Sequence, residues 1–258
     1  MTSEPSRLEA LMIEVMNHLA DRFGNHAILK GGMVLRLLDS PRHTNDLDYV
    51  FVPYSSKKDI KDDLVEALRT IPDCVVSCSL NSKCLRCIVR SGQEALQVEV
   101  QAEMECKSQA LSNADLARAH NQQGRIIRVM HLDAALAHKL AAWNERELMR
   151  DLYDAYFLWQ VAGVKPALEV LAKRLERIES RRPGKAKPTR MTVTQFADAL
   201  DAAAGKLDPE AVSAELGDYL ERIELAGLDK KIQIALRKIA EWLRTPQTQP
   251  DRLDERAP

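Results

Sequence analysis

Apolar positions recur with helical spacing over residues 7–23, where Leu8, Leu11, Met12, Val15, Met16 and Leu19 share one face and Gly24 stands where a C-terminal cap would. A short apolar stretch, Ala27-Ile28-Leu29, leads into Lys30-Gly31-Gly32 and a second helical pattern from Met33 to about Leu38 that stops before Pro41. This part of the chain is expected to be helix, strand, glycine turn and helix. Asp46-Leu47-Asp48-Tyr49-Val50-Phe51-Val52 is rich in β-branched and aromatic residues and predicts a strand closed by Pro53. Ile60, Leu64 and Leu68 mark a helix over 57–69, and strand-like runs follow near 74–79, 84–90 and 95–101, with Gly92 as the hairpin between the last two. Arg125–Met130 predicts a final strand.

From Asp133, a plausible N-cap, helical periodicity continues to about Gly163, and further amphipathic segments cover 165–180, 192–204, 208–226 and 229–244, interrupted by a Pro-Gly loop at 183–188. The expected fold is therefore α+β. A mixed sheet with flanking helices would occupy residues 1–130, and a C-terminal helical bundle over 131–245 would complete a cleft against it. Residues 246–258 hold too few apolar side chains to pack and are expected to be a disordered tail.

At 45% hydrophobic and 29% charged, the chain has the composition of an ordinary globular protein able to bury a full core. The net charge of -1 does not by itself call for a nucleic-acid partner. No apolar run is long enough to span a bilayer and the N-terminus lacks a basic-then-apolar leader pattern, so no membrane partner and a cytoplasmic location are expected. The cysteines at 74, 78, 84, 87 and 106 are odd in number and sit in strand-like runs, which predicts reduced, buried thiols; their spacing also admits a zinc reading.

Candidate chemistry begins with Asp46 and Asp48. Alternate residues of a strand point the same way, so the two carboxylates share a face while Leu47 packs inward. Two such anions repel unless a cation lies between them, and hard oxygen ligands favour Mg²⁺. Leu96, Val98 and Val100 give the later strand a core face, which turns Glu99 to the other side as a third carboxylate; Glu103 and Glu105 share its parity and are alternatives. Such a trio suits metal-assisted attack on a phosphorus atom. Gly31 and Gly32, between strand and helix, would let a triphosphate approach the backbone, with Lys30 as a nearby cation. Taken separately, a Gly-Gly pair is more often only a turn, and an Asp-x-Asp more often two solvated carboxylates.

Lys30-Gly31-Gly32-Met33-Val34-Leu35-Arg36-Leu37, leading through Arg42-His43-Thr44-Asn45 to Asp46-Leu47-Asp48-Tyr49, resembles the first motif of the AbiEii/AbiGii toxin-like nucleotidyltransferases, within the DNA polymerase β-like superfamily. A second block, Leu136-Ala137-His138-Lys139-Leu140-Ala141-Ala142-Trp143-Asn144-Glu145-Arg146 with Arg150-Asp151-Leu152-Tyr153-Asp154, resembles that family's Lys-x-x-Ala-x-x-x-Arg-x-x-x-Arg-Asp-x-x-Asp signature. The chain departs from the pattern at Met33, where a small hydroxyl residue is common, and at Asn45, where a charged one is frequent.

The resemblance implies a polymerase β-like fold and transfer of a nucleoside monophosphate from an NTP to an acceptor hydroxyl, with a tRNA 3′ end favoured, as the toxin of a type IV system opposed by an antitoxin. It implies Asp46 and Asp48 as Mg²⁺ ligands with Glu99 completing the set. Lys139 would contact the nucleotide phosphates, and Asp151 would be needed for activity. Lys30, Gly31, Gly32, Thr44, Arg146 and Arg150 join the nucleotide site. If the helix is continuous, Arg146 and Arg150 fall about 20° to either side of Lys139 in a cationic stripe; the alternative is a solvated face with Arg150 and Asp154 as an i, i+4 pair. Lys173, Arg174, Arg177, Arg181, Arg182, Lys185, Lys187 and Arg190 form a candidate RNA-contacting surface, or a basic surface with no partner. A same-fold enzyme acting on a protein or an antibiotic-like small molecule, and a non-catalytic nucleotide-binding protein, are the competing classes.

Overall fold

The computed structural model describes residues 6–82, 84–178 and 190–245. Ser6 opens the first helix, its hydroxyl accepting from the Glu9 amide at 3.4 Å, and α1 (Arg7–Phe23) ends on Gly24 at φ 53, as the pattern predicts. β1 (Ala27–Lys30), α2 (Gly32–Arg36) and β2 (Asp46–Phe51) follow. Ser56 and Asp59 form a capping box that starts α3 (Lys57–Arg69) at the expected place. β3 (Cys74–Leu80), β4 (Leu85–Ser91) and β5 (Glu94–Ala102) are a meander, with Gly92 at φ 57 in its second hairpin. Two elements have no clear signature in the sequence, β6 (Ser108–Ser112) and α4 (Ala114–Ala119), before β7 (Ile126–Met130). β6, Ser-Gln-Ala-Leu-Ser, lies at one edge of the sheet and has no run of apolar side chains to announce it.

The seven strands form one mixed sheet in the order β3-β4-β5-β2-β1-β7-β6, in which β2 runs parallel to β5 and β1 parallel to β7. Leu47, Tyr49 and Phe51 from β2 and Leu96, Val98 and Val100 from β5 point to the face covered by α1 and α3, and all are essentially without solvent exposure. On the opposite face Ile28, Val50 and Met130 pack against Ala134 of the next helix. That leaves the polar positions of β2 and β5 facing the helical part of the chain.

The all-helical part consists of α5 (Leu132–Arg146), α6 (Met149–Tyr156), which runs into a π-helical turn at Phe157–Val161, then α7 (Leu168–Glu176), α8 (Val193–Gly205), α9 (Pro209–Leu216), α10 (Arg222–Leu225) and α11 (Leu228–Arg244). Two single-helix expectations are overturned. The run 133–163 is broken at Glu147, which takes the left-handed conformation at φ 50, and the run 208–226 is broken by a turn after Leu216. Neither break could be read from a proline, and Glu147 belongs to a residue type for which positive φ is uncommon. The expected tail at 246–258 lies outside the described residues. No described helix is long and apolar enough to cross a membrane.

The expectation of five reduced thiols fails at one pair. β3 and β4 align so that Cys78 stands opposite Cys87, with Cα atoms 4.1 Å apart, and their sulfurs are joined as a disulfide, while Cys74, Cys84 and Cys106 are free. Cysteine spacing carries no information on strand register, which is what brings the two together.

Candidate active site

Alternation along β2 places Leu47 in the core and sends Asp46 and Asp48 together to the opposite face. Parallel pairing with β5 sets Asp48 beside Glu99 and Asp46 beside Gln97, while antiparallel pairing with β1 sets Lys30 on the other flank of Asp48. Burial is the largest influence on the Asp48 carboxyl and holds it above the usual carboxylate range; Lys30 and Lys139 pull it back, and Asp46 and Glu99 push it further up. Thr44 Oγ donates to Asp46 Oδ1 at 2.9 Å.

The glycine pair is built around these acids. Gly31 adopts φ 78, and a Cβ on it would collide with Oδ2 of Asp48; a Cβ on Gly32 would come within 2.7 Å of both the Arg42 guanidinium and the Thr44 hydroxyl. Lys30 Nζ donates to Oε1 of Gln101 at 2.7 Å.

Asp46, Asp48 and Glu99 line a cavity of about 350 Å³ together with Gly32, Arg42, Thr44, Asn45 and Gln97, and the helical part contributes Lys139, Arg146, Arg150 and Tyr219. The cationic residues therefore do meet the acids, although not as one helical stripe: Lys139 and Arg146 belong to α5, and Arg150 to α6 beyond the break at Glu147. Glu103 and Glu105 are exposed and do not line this cavity.

Asp151 and Asp154 lie wholly buried behind the cations. Arg146 grips Asp151 in a two-point contact, Nε to Oδ2 at 3.0 Å and Nη2 to Oδ1 at 2.6 Å. Lys139 Nζ meets Oδ2 of Asp154 at 2.6 Å, and Arg42 Nε donates to its Oδ1 at 2.8 Å. The i, i+4 pair of Arg150 with Asp154 is thus replaced by contacts that reach 112 residues back along the chain to Arg42. Sequence reasoning passed over Arg42, Gln97 and Tyr219 as site residues. Arg42 stood inside the first motif, but nothing local to it names a partner so distant.

The donor set suits a divalent cation at Asp46 and Asp48, where two carboxylates share one opening and the charge of Asp46 adds to the burial that holds the Asp48 carboxyl up. Among the described residues no group of three acidic, histidine or cysteine side chains is drawn together tightly enough to hold a metal ion. Glu99 is turned aside, its Oε1 accepting from Arg86 Nη2 at 2.7 Å and from Gln97 Nε2 at 3.0 Å. Of the basic stretch, Lys173, Arg177 and Arg190 are exposed, whereas Arg174 is turned inward to Glu145 at 2.7 Å and to His138 at 2.8 Å; Arg181, Arg182, Lys185 and Lys187 lie outside the described residues.

No curated protein matches the sequence. Among solved structures, MenT4, a nucleotidyltransferase toxin from Mycobacterium tuberculosis, aligns at a TM-score of 0.57 and 16% identity over 93% of this chain and 84% of its own. JHP933 from Helicobacter pylori aligns at 0.54 and 16% identity over 94% of each chain. At such identities the likeness speaks for the fold, which is the polymerase β-like α+β arrangement expected from the sequence. The family described as "Nucleotidyl transferase AbiEii toxin, Type IV TA system" matches residues 14–78 and 85–238, most of the chain's length. With sheet order, paired acids and cationic helix ends arranged as described, the chain belongs to the AbiEii family of nucleotidyltransferase toxins of type IV toxin–antitoxin systems.

Proposed function

We propose that the cavity binds a nucleoside triphosphate with Mg²⁺ and that the protein transfers the nucleoside monophosphate to the terminal hydroxyl of a tRNA 3′ end. Residues 1–130 act as the catalytic core and 131–245 as the helical lobe that closes the cleft, and an antitoxin restrains the activity in the cytoplasm. The observation that carries this reading is the meeting of Asp46, Asp48 and Glu99 with Lys139, Arg146 and Arg150 around one opening.

Lys139, Arg146 and Arg150 bind the β- and γ-phosphates, and Gly32 lets the chain of phosphates pass close to the backbone. Asp151 and Asp154 do not touch the substrate; they fix Arg146 and Lys139 so that the cations need no reordering when the phosphates arrive. Mg²⁺ held by Asp46 and Asp48 would neutralise phosphate charge and acidify the attacking hydroxyl. Glu99 would join them by giving up its solvent-exposed pairing with Arg86 and the hydrogen bond from Gln97, an exposed ion pair being weak enough to be exchanged. The acceptor oxygen bonds to the α-phosphorus, the bond to the β-phosphate oxygen breaks, pyrophosphate departs, and Glu99 assists removal of the hydroxyl proton. Exposed Lys173, Arg177 and Arg190 supply contacts for the RNA backbone.

Incubation of the purified protein with each NTP, labelled in turn at the α- and the γ-phosphate, tests this in a mixture of total RNA, cell protein and aminoglycosides. The α-label is expected in the tRNA fraction and the γ-label in released pyrophosphate. Label recovered in protein or in the small molecule would replace the acceptor, and no pyrophosphate from any NTP would remove the reaction.

A further inference from the structure

Tyr219 is the cavity residue for which phosphate and metal chemistry offer no task. It sits in the turn between α9 and α10, and among the described lining residues it alone is aromatic; the others are glycine, hydroxyl, amide or charged side chains. A nucleotide entering here has a flat apolar base as well as its phosphates, and among the described lining residues the Tyr219 ring is the one flat uncharged surface that matches it.

The ring is held ready. The Tyr219 carbonyl accepts from the His43 amide at 2.9 Å, which ties the turn to the loop just before β2. The Arg42 guanidinium lies 5.9 Å from the ring centroid, within cation–π range, and Arg42 is itself locked by the buried Asp154. The same network that positions Lys139 therefore also positions this ring. Fixing a planar side chain before the ligand arrives reduces the ordering cost of binding.

We infer that Tyr219 is the platform on which the base of the bound NTP stacks, a binding role that rests on the triphosphate reading of the cavity. Stacking accepts any base with a π-face, so Tyr219 contributes affinity for nucleotides over bare polyphosphate and leaves the choice among bases to edge contacts.

The test compares equilibrium binding of ATP, CTP, GTP, UTP and inorganic tripolyphosphate, each with Mg²⁺, to the full chain and to Tyr219→Leu and Tyr219→Phe. Leucine retains bulk without a π-face. Tyr219→Leu is expected to weaken the nucleotides that the wild-type chain binds by roughly 5- to 100-fold while tripolyphosphate affinity stays within about twofold, and Tyr219→Phe is expected to hold both. Unchanged nucleotide affinity in Tyr219→Leu, or equal weakening of tripolyphosphate, would overturn the stacking role. A wild-type chain that binds tripolyphosphate as tightly as every NTP would also overturn it while leaving the phosphate site intact. Binding of neither would remove the triphosphate reading and this one together.

Discussion

At Gly31 the backbone holds φ 78 while its α-carbon faces the Asp48 carboxylate, so a larger residue meets two separate costs. Gly24 offers a comparison, with φ 53 and nothing within 4 Å of a Cβ. Gly24→Ala is expected to lose only the backbone part, of order 1–3 kcal/mol, with transfer activity kept. Gly31→Ala should lose at least as much stability and most of the activity, because Asp48 must move; urea midpoints and single-turnover rates on both variants check this. Asp48 itself contributes little to folding, since burial and its neighbours Asp46 and Glu99 disfavour its charge. Asp48→Ala is accordingly expected to melt at or above the wild-type temperature while transfer falls roughly 10²- to 10³-fold. A variant that unfolds would show the carboxylate to be structural instead.

Between elements, the buried ion pairs fix geometry and the apolar core supplies most of the stability. Asp154 of α6 holds Arg42, from the loop before β2, and Lys139, from α5, with no solvent exposure of its own. Replacing it with Asn leaves two cations short of a counter-charge, and a loss of about 3–5 kcal/mol is expected by chemical denaturation. α5 and α7 meet through His138, whose Nδ1 faces Arg174 Nη1 at 2.8 Å; because arginine only donates, that nitrogen must be unprotonated. Burial first, then Arg174 and Lys30, opposed by Glu145 and aided by the weaker Lys139, hold its pKa at about 4, against an ordinary value of 6.5. The unfolded chain therefore takes up the proton first on acidification. The stabilisation is complete above pH 6.5 and is lost progressively as pH falls towards 4, by up to roughly 3 kcal/mol. His138→Asn should flatten that slope when urea midpoints at pH 7.5 and 4.5 are compared; an unchanged slope would place the titration elsewhere.

The same scale shows what the sequence could and could not reveal. Strict alternation made the core faces of β2 and β5 legible, and with them the shared face of Asp46, Asp48 and Glu99. The apolar spacing of Ile60, Leu64 and Leu68 marked α3 and the glycine at the end of α1 marked its cap, because those signals lie within a few residues. Partner choice did not follow from local signals. Asp154 passed over Arg150, four residues away, for Arg42, and Cys78 met Cys87 only through strand register. The turn at Glu147 carries no glycine or proline to announce it, so the cations of α5 and α6 reached the cavity by a route that helical periodicity could not describe.

Across the whole molecule, the core divides into two large apolar clusters. One unites the sheet with α1 and α3; the other unites the helical part and takes in Leu35 of α2, while Leu132 packs against both. The cavity draws its acids from strands of the sheet and Lys139, Arg146, Arg150 and Tyr219 from the helical part, so a bound nucleotide would contact both halves at once. Binding to the folded form alone stabilises by about 2.7 kcal/mol at a hundredfold excess over Kd. For a chain of this size each kcal/mol raises Tm by about 2–4 °C, which gives an expected rise of roughly 5–10 °C with NTP and Mg²⁺. Because the ligand bridges the clusters, the rise should come as one cooperative transition in calorimetry. Lys139→Ala, which removes a phosphate contact from the helical side, should reduce it. A transition that splits, with only one component moving, would mean that the nucleotide rests on one half of the molecule and that the cleft between sheet and helices is not where it binds.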